Sequence, residues 1–144
     1  MKPVILIFEG LDGSGKTTLM NAINVETNYE YFCVDRMFGS AWCYDATRRD
    51  REKHILKAQL ELSNLNDVEF KVIFCTASFD TLNRRYASRG DKLVDGTDLM
   101  DQQLRFEEYL GCCAFPVLKL DTTKYSVSTC VRKVMKFLEA DDGQ

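Results

Sequence analysis

Five apolar residues, Val4-Ile5-Leu6-Ile7-Phe8, run straight into Glu9-Gly10-Leu11-Asp12-Gly13-Ser14-Gly15-Lys16-Thr17-Thr18. A continuous β-branched run of this kind reads as a strand covered on both faces. Leu19, Met20 and Ile23 then share one face of a short helix. Between the two, Gly10 to Thr17 matches G-x-x-x-x-G-K-S/T in full, in the strand-to-helix context that gives the pattern its meaning. Glycines let backbone N–H groups turn inward around an anion, since no Cβ obstructs them. The helix that begins near Gly15 adds its positive dipole end and its free N–H groups. Lys16 in that first turn opposes the dipole unless an anion such as a terminal phosphate sits before it. The hydroxyl of Thr17 suits a Mg2+ ion that keeps most of its waters and bridges phosphates. The competing dinucleotide fingerprint fails, because no third glycine follows Gly13 and Gly15 at its spacing.

Strands and helices alternate along the rest of the chain. Tyr31 to Val34, Val68 to Cys75 and Phe115 to Leu120 read as further buried strands, and Ser40 to Ser63 has helical period with Ile55, Leu56, Gln59 and Leu62 on one stripe. Ser78 is placed to cap a helix carrying Phe79, Leu82 and Tyr86. After a polar stretch from Ser88 to Asp98, Leu99, Gln103, Phe106 and Leu110 are in helical phase, and Val127, Val131, Val134 and Leu138 mark a last helix. The expected fold is α/β, a three-layer sandwich around a reduced parallel sheet of about four strands, with residues 1–144 as one domain. Right-handed crossovers place every strand's C-terminal end, and with it the site, on one edge.

The net charge of -3 leaves no global basic field to draw the chain onto nucleic acid or membrane. The opening apolar run is shorter than a signal h-region, and no segment approaches a membrane span, so a cytoplasmic protein is expected, in host cytoplasm if phage-encoded. The six cysteines show no zinc spacing, and the single histidine, His54, has no second ligand nearby. They read as small thiols in a reducing compartment, with Cys33 and Cys75 inside apolar runs and Cys112-Cys113 vicinal.

Asp35 closes the second strand beside the phosphate loop, where a carboxylate holds Mg2+ through water or takes a proton from an attacking hydroxyl. Arg36 next to it suits an acceptor phosphate. Arg84, Arg85 and Arg89 gather at one helix end, with Arg85 and Arg89 four apart on a common face. Phosphoryl transfer needs positive charge over the moving group and water kept out, which an arginine lid supplies.

Taken together, Phe8 to Thr18, Asp35-Arg36-Met37-Phe38-Gly39-Ser40, Asp80 to Asp91 and Asp121-Thr122-Thr123 resemble the thymidylate kinase branch of the P-loop nucleotide kinases. That resemblance implies ATP and Mg2+ as cofactors. It implies binding of ATP by Gly10, Asp12, Gly13, Ser14, Gly15, Lys16, Thr17, Thr18, Asp121 and Thr122, and of Mg2+ by Thr17, Asp35 and Glu9. Lys16, Asp35, Arg36, Arg85 and Arg89 would serve transfer. Only about a dozen residues, Asn24 to Asp35, complete the second strand after the first helix, so the acceptor side is expected to be open. Short phage kinases of 5-hydroxymethyluracil in DNA are similar, and a hydroxyl acceptor of that kind is the expected one. A free deoxynucleoside monophosphate is the alternative, and a nucleotide switch or ATPase without acceptor is a third. Arg48, Arg49, Arg51 and Lys53, with Trp42 and Tyr44 nearby, are candidates for contact with a phosphate backbone, or else form a solvated helix face.

Overall fold

A computed structural model of the chain describes residues 2–44, 48–90 and 96–140. In chain order the elements are β1 (Val4–Gly10), α1 (Lys16–Glu26), β2 (Phe32–Asp35), α2 (Phe38–Tyr44), α3 (Arg48–Ser63), β3 (Glu69–Thr76), α4 (Phe79–Ser88), α5 (Gly96–Leu110), β4 (Val117–Asp121) and α6 (Val127–Ala140). The four strands form one parallel sheet in the order β2-β1-β3-β4. Phe8 is in register with Asp35, Gly10 with Cys75 and Thr76 with Asp121, so the C-terminal ends of all four strands share one edge.

Side chains alternate across the sheet and sort into two layers of core. Leu6, Phe8, Ile73, Cys75 and Leu120 pack beneath Leu19 and Ile23 of α1 and Cys130, Val134 and Leu138 of α6. On the opposite face, Phe74 packs with Leu82 and Tyr86 of α4, Leu99 and Phe106 of α5 and Cys43 of α2. Phe74 and Phe106 are both fully buried, with ring centroids 5.3 Å apart. Each such side chain contributes roughly 1.5–3 kcal/mol through burial, so the aromatic pair anchors α5 to the sheet centre. The Cys75 thiol, buried on the face of β3 that α1 and α6 cover, is pushed up to about 12 by burial.

Three expectations need correction. Tyr31 to Val34 reads as a strand covered on both faces, yet β2 is an edge strand with Phe32 68 % exposed. A short apolar run does not by itself distinguish an outer strand from a central one. The helical period from Ser40 to Ser63 belongs to two helices, α2 and α3, with residues 45–47 between them outside the described ones. On the α3 stripe Ile55 and Gln59 are buried while Leu56 is exposed. Gln59 tolerates burial because its Nε2 donates to the Cys112 carbonyl at 2.8 Å and its Oε1 accepts from the Tyr109 hydroxyl at 3.0 Å. In α6, Val127 is 46 % exposed, and Cys130 takes the buried place in its turn. Ser78 does cap α4: its Oγ accepts from Thr81 N at 3.2 Å. Part of the polar stretch, 91–95, lies outside the described residues.

Candidate functional site

β1 ends at Gly10 and α1 begins at Lys16, so the glycine-rich segment spans the gap at the C-terminal edge of the sheet. Gly15 is the N-cap of α1 with φ +88, a left-handed conformation that glycine adopts without strain. Its carbonyl accepts from Leu19 N at 2.9 Å, and Ser14 N closes the turn on the Leu11 carbonyl at 3.1 Å. No side chain caps this helix and no acid lies in its first turn. The positive end of α1 therefore carries Lys16 with no compensating neighbour in its own turn.

Lys16 is buried, and its ammonium donates to the Asp35 carboxylate, which is 45 % exposed at the end of β2. The two residues assigned from sequence to donor phosphates and to the acceptor side are thus in direct contact. Arg36, at φ +71, turns the chain sharply after β2 while its N–H donates to the Phe8 carbonyl at 3.0 Å. Its guanidinium donates to Ser40 Oγ at 2.8 Å and to Asp12 Oδ1 at 2.7 Å, and lies 5.2 Å from the Tyr44 ring centroid. Burial opposes the Arg36 charge, and Tyr44 and Asp12 more than offset it; burial likewise raises the Tyr44 hydroxyl.

Glu9 is 1 % exposed. Its carboxylate accepts from Met37 N at 3.0 Å, Ser40 N at 3.1 Å and Ser40 Oγ at 2.5 Å. Those bonds satisfy donors at the start of α2 and tie the turn after Asp35-Arg36 back to β1. Gly39 makes the approach possible, since a Cβ there would come within 2.8 Å of Glu9 Oε2.

The three arginines of the expected lid have separate surroundings. Arg84 is exposed and donates to Thr81 Oγ1 within its own helix at 3.2 Å. Arg85 donates to the Gly13 carbonyl at 2.6 Å and reaches Thr122 Oγ1 and O at 3.1 and 3.2 Å. The Arg89 guanidinium lies 5.4 Å from the Tyr86 ring centroid. Both Arg85 and Arg89 line a cavity of about 530 Å³ that opens from the loop toward α6.

Asp12, Gly13, Gly15, Lys16, Thr17, Thr18 and Thr122 line this cavity; Gly10, Ser14 and Asp121 do not. Asp121 Oδ1 instead accepts from Thr123 N at 2.9 Å, shaping its own turn. Sequence reasoning missed Tyr125, Val127 and Cys130 as part of the lining. The Cys130 signal was concealed, for a cysteine in an amphipathic helix reads as core, and it is core on one side. Trp42, named beside the basic stretch, is 5 % exposed and donates from Nε1 to Glu108 at 2.9 Å, so it belongs to the core. The side chains of Arg48 and Arg49 are not among the described ones; Arg51 and Lys53 are exposed on α3.

Among the described residues no cluster of three or more His, Cys, Asp or Glu forms a metal cage. The exposed Thr17 hydroxyl and the Asp35 carboxylate are hard oxygen donors beside the loop. That sparse set fits Mg2+, which takes one or two protein oxygens and completes its shell with water and phosphate.

No protein-family model matches the sequence, and no curated protein does. Solved structures do match. The YorR protein of Bacillus subtilis, solved in complex with phosphorylated GDP, superposes with a TM-score of 0.79 at 16 % identity, over 97 % of this chain and 98 % of that one. The α/β fold is therefore shared with solved structures along nearly the whole chain. Deoxyadenosine kinase from M. mycoides with bound dATP gives 0.62 at 18 % identity, over 94 % and 99 % of the two chains. The same enzyme with bound dCTP gives 0.57 at 18 % identity, over 95 % and 99 %. Among the described residues, no helix is long and apolar enough to cross a membrane.

Proposed function

We propose that the protein is a Mg2+-dependent phosphotransferase that moves the γ-phosphate of ATP to a deoxynucleotide-type acceptor. The observation that carries this reading is the cavity that ends on Lys16, a buried cation at the bare N-terminus of α1. Bound there, terminal phosphates meet the helix dipole, the Lys16 ammonium and the cation of Arg89. Glu9 holds α2, and we assign it to positioning rather than to the metal; Thr17 and Asp35 would hold Mg2+, which neutralises phosphate charge when bound.

For the acceptor we favour a hydroxyl. Asp35 stands at the end of β2 as the carboxylate that could take its proton, as kinase chemistry requires of a base. The link from α1 to β2 is only residues 27–31, which leaves this side uncovered by any inserted element. An acceptor within DNA, such as the hydroxymethyl group of 5-hydroxymethyluracil, has room there. Arg36 is already held by Ser40, Asp12 and Tyr44, which weighs against its serving as the clamp of a free thymidine monophosphate.

The test offers γ-labelled ATP with deoxynucleosides, their monophosphates, unmodified DNA and 5-hydroxymethyluracil DNA. Label is expected on the hydroxymethyl group. Label on monophosphates alone would remove the hydroxyl acceptor, and label released only as free phosphate would favour a switch or ATPase.

A further inference from the structure

Three consecutive carbonyls of the loop are each held by a side-chain donor from outside it. The Tyr86 hydroxyl donates to Asp12 O at 2.5 Å, Arg85 Nη1 to Gly13 O at 2.6 Å and Thr122 Oγ1 to Ser14 O at 2.6 Å. Arg85 also bonds Thr122 at Oγ1 and O, so α4 and the loop after β4 form one continuous bracket around the turn. We propose that Arg85, Tyr86 and Thr122 are positioning residues for phosphate binding: Tyr86 and Thr122 fix the peptide planes that carry Gly13 N–H and Gly15 N–H, while Arg85 pins the plane between them, whose Ser14 N–H closes on the Leu11 carbonyl, and braces Thr122.

The physical reason lies in peptide planarity. In a trans peptide the C=O of one residue points opposite to the N–H of the next, and the chain has no cis bond among the described residues. Holding Asp12 O and Ser14 O outward therefore turns Gly13 N–H and Gly15 N–H the other way. Gly13 and Gly15 both line the cavity. A glycine-rich loop left to itself samples many orientations of these planes, and the entropy of fixing them falls on binding. Donors that lock the carbonyls in advance remove that cost, which is the meaning of a preorganised anion site. Arg85 then acts through the loop rather than on the transferring phosphoryl group, and Arg89 keeps the role of the lid cation. The inference rests on the phosphate-site reading above.

Calorimetry of the full chain with Mg2+ and inorganic tripolyphosphate, and with ATP, tests both layers. Thr122→Val removes one donor and Arg85→Lys keeps the charge while losing the fork that spans Gly13 and Thr122. Each is expected to weaken tripolyphosphate binding by roughly fivefold to tenfold, the value of one hydrogen bond, with the melting temperature little changed. Thr122→Ser, which retains the hydroxyl, should bind like the parent; that rescue would not follow from a role in folding alone. In the parent, the Gly13 and Gly15 amide resonances should shift on adding tripolyphosphate, and shift less in Thr122→Val. Parent binding with unchanged affinity in both variants overturns the bracket, as does intact affinity in Arg85→Lys with transfer lost. If the parent binds neither probe, the phosphate-site reading itself fails, and the bracket with it. Should Thr122→Val not fold, Arg85→Lys and Thr122→Ser decide.

Discussion

The proposed chemistry turns on Lys16 and Asp35, and their contact sets what each substitution should do. Lys16→Ala deletes the cation at the N-terminus of α1 and leaves Asp35, 45 % exposed, to be solvated. Stability should move little, because the carboxylate left behind is about half exposed and regains water. Phosphoryl transfer should fall by at least roughly 10²-fold, the usual cost of removing a preorganised group that stabilises developing charge. A steady-state assay on the folded variant checks this, and near-normal turnover would remove Lys16 from the site. Asp35→Asn keeps the shape and removes the proposed base. Transfer to a hydroxyl should drop by about 10²–10⁴-fold. An unchanged rate would exclude Asp35 as proton acceptor. Both residues were legible in the sequence because each breaks a local preference. A lysine opening a helix and an acid ending an apolar strand have no purpose in a core. Arg85 and Arg89 differ in this respect. Spacing places them on one face, but only the fold reveals that, of two arginines lining the cavity, Arg85 grips a loop carbonyl and Arg89 lies against the Tyr86 ring.

At the scale of elements, α2 depends on one buried carboxylate. Its starting N–H groups have Glu9 as acceptor, and Gly39 is there because Glu9 Oε2 occupies the space of a side chain. Gly39→Ala should therefore push Glu9 aside and unsettle the turn that carries Asp35 and Arg36. A loss of about 1–3 kcal/mol is expected, the cost of a buried acceptor whose donors are displaced, read as a lower midpoint in urea unfolding. A variant as stable as the parent would mean that Glu9 does not hold α2. Nothing in the sequence assigns this task to Glu9. It sits in the last turn of an apolar run before a phosphate loop, where a metal role is equally natural. The strands were easier, since four apolar runs at the expected spacing leave few other arrangements. What periodicity omits is position in the sheet: β2 looks as buried as β3 on paper, and only the order β2-β1-β3-β4 exposes Phe32.

For the whole molecule, ligand and fold are linked through the edge where all four strands end. The cavity draws its lining from the loop after β1, from α1, from the end of α4, from the turn after β4 and from α6. A ligand seated there touches both the sheet edge and the helices on its two faces, so the unfolded chain cannot offer the same site. Mass action then requires stabilisation: at a hundred times the dissociation constant the gain is about 2.7 kcal/mol. For a chain of this size that corresponds to a rise in melting temperature of roughly 5–10 °C with ATP and Mg2+ together. ATP with a chelator should give a smaller rise, because the phosphates then keep charge that Thr17 and Asp35 cannot offset through a cation. Lys16→Ala should erase most of the rise while leaving the midpoint without ligand near that of the parent. Differential scanning calorimetry of parent and variant, with and without Mg2+, separates these cases. A parent whose melting temperature ignores ATP at millimolar concentration, in either condition, would mean that the cavity against Lys16 is not a nucleotide site.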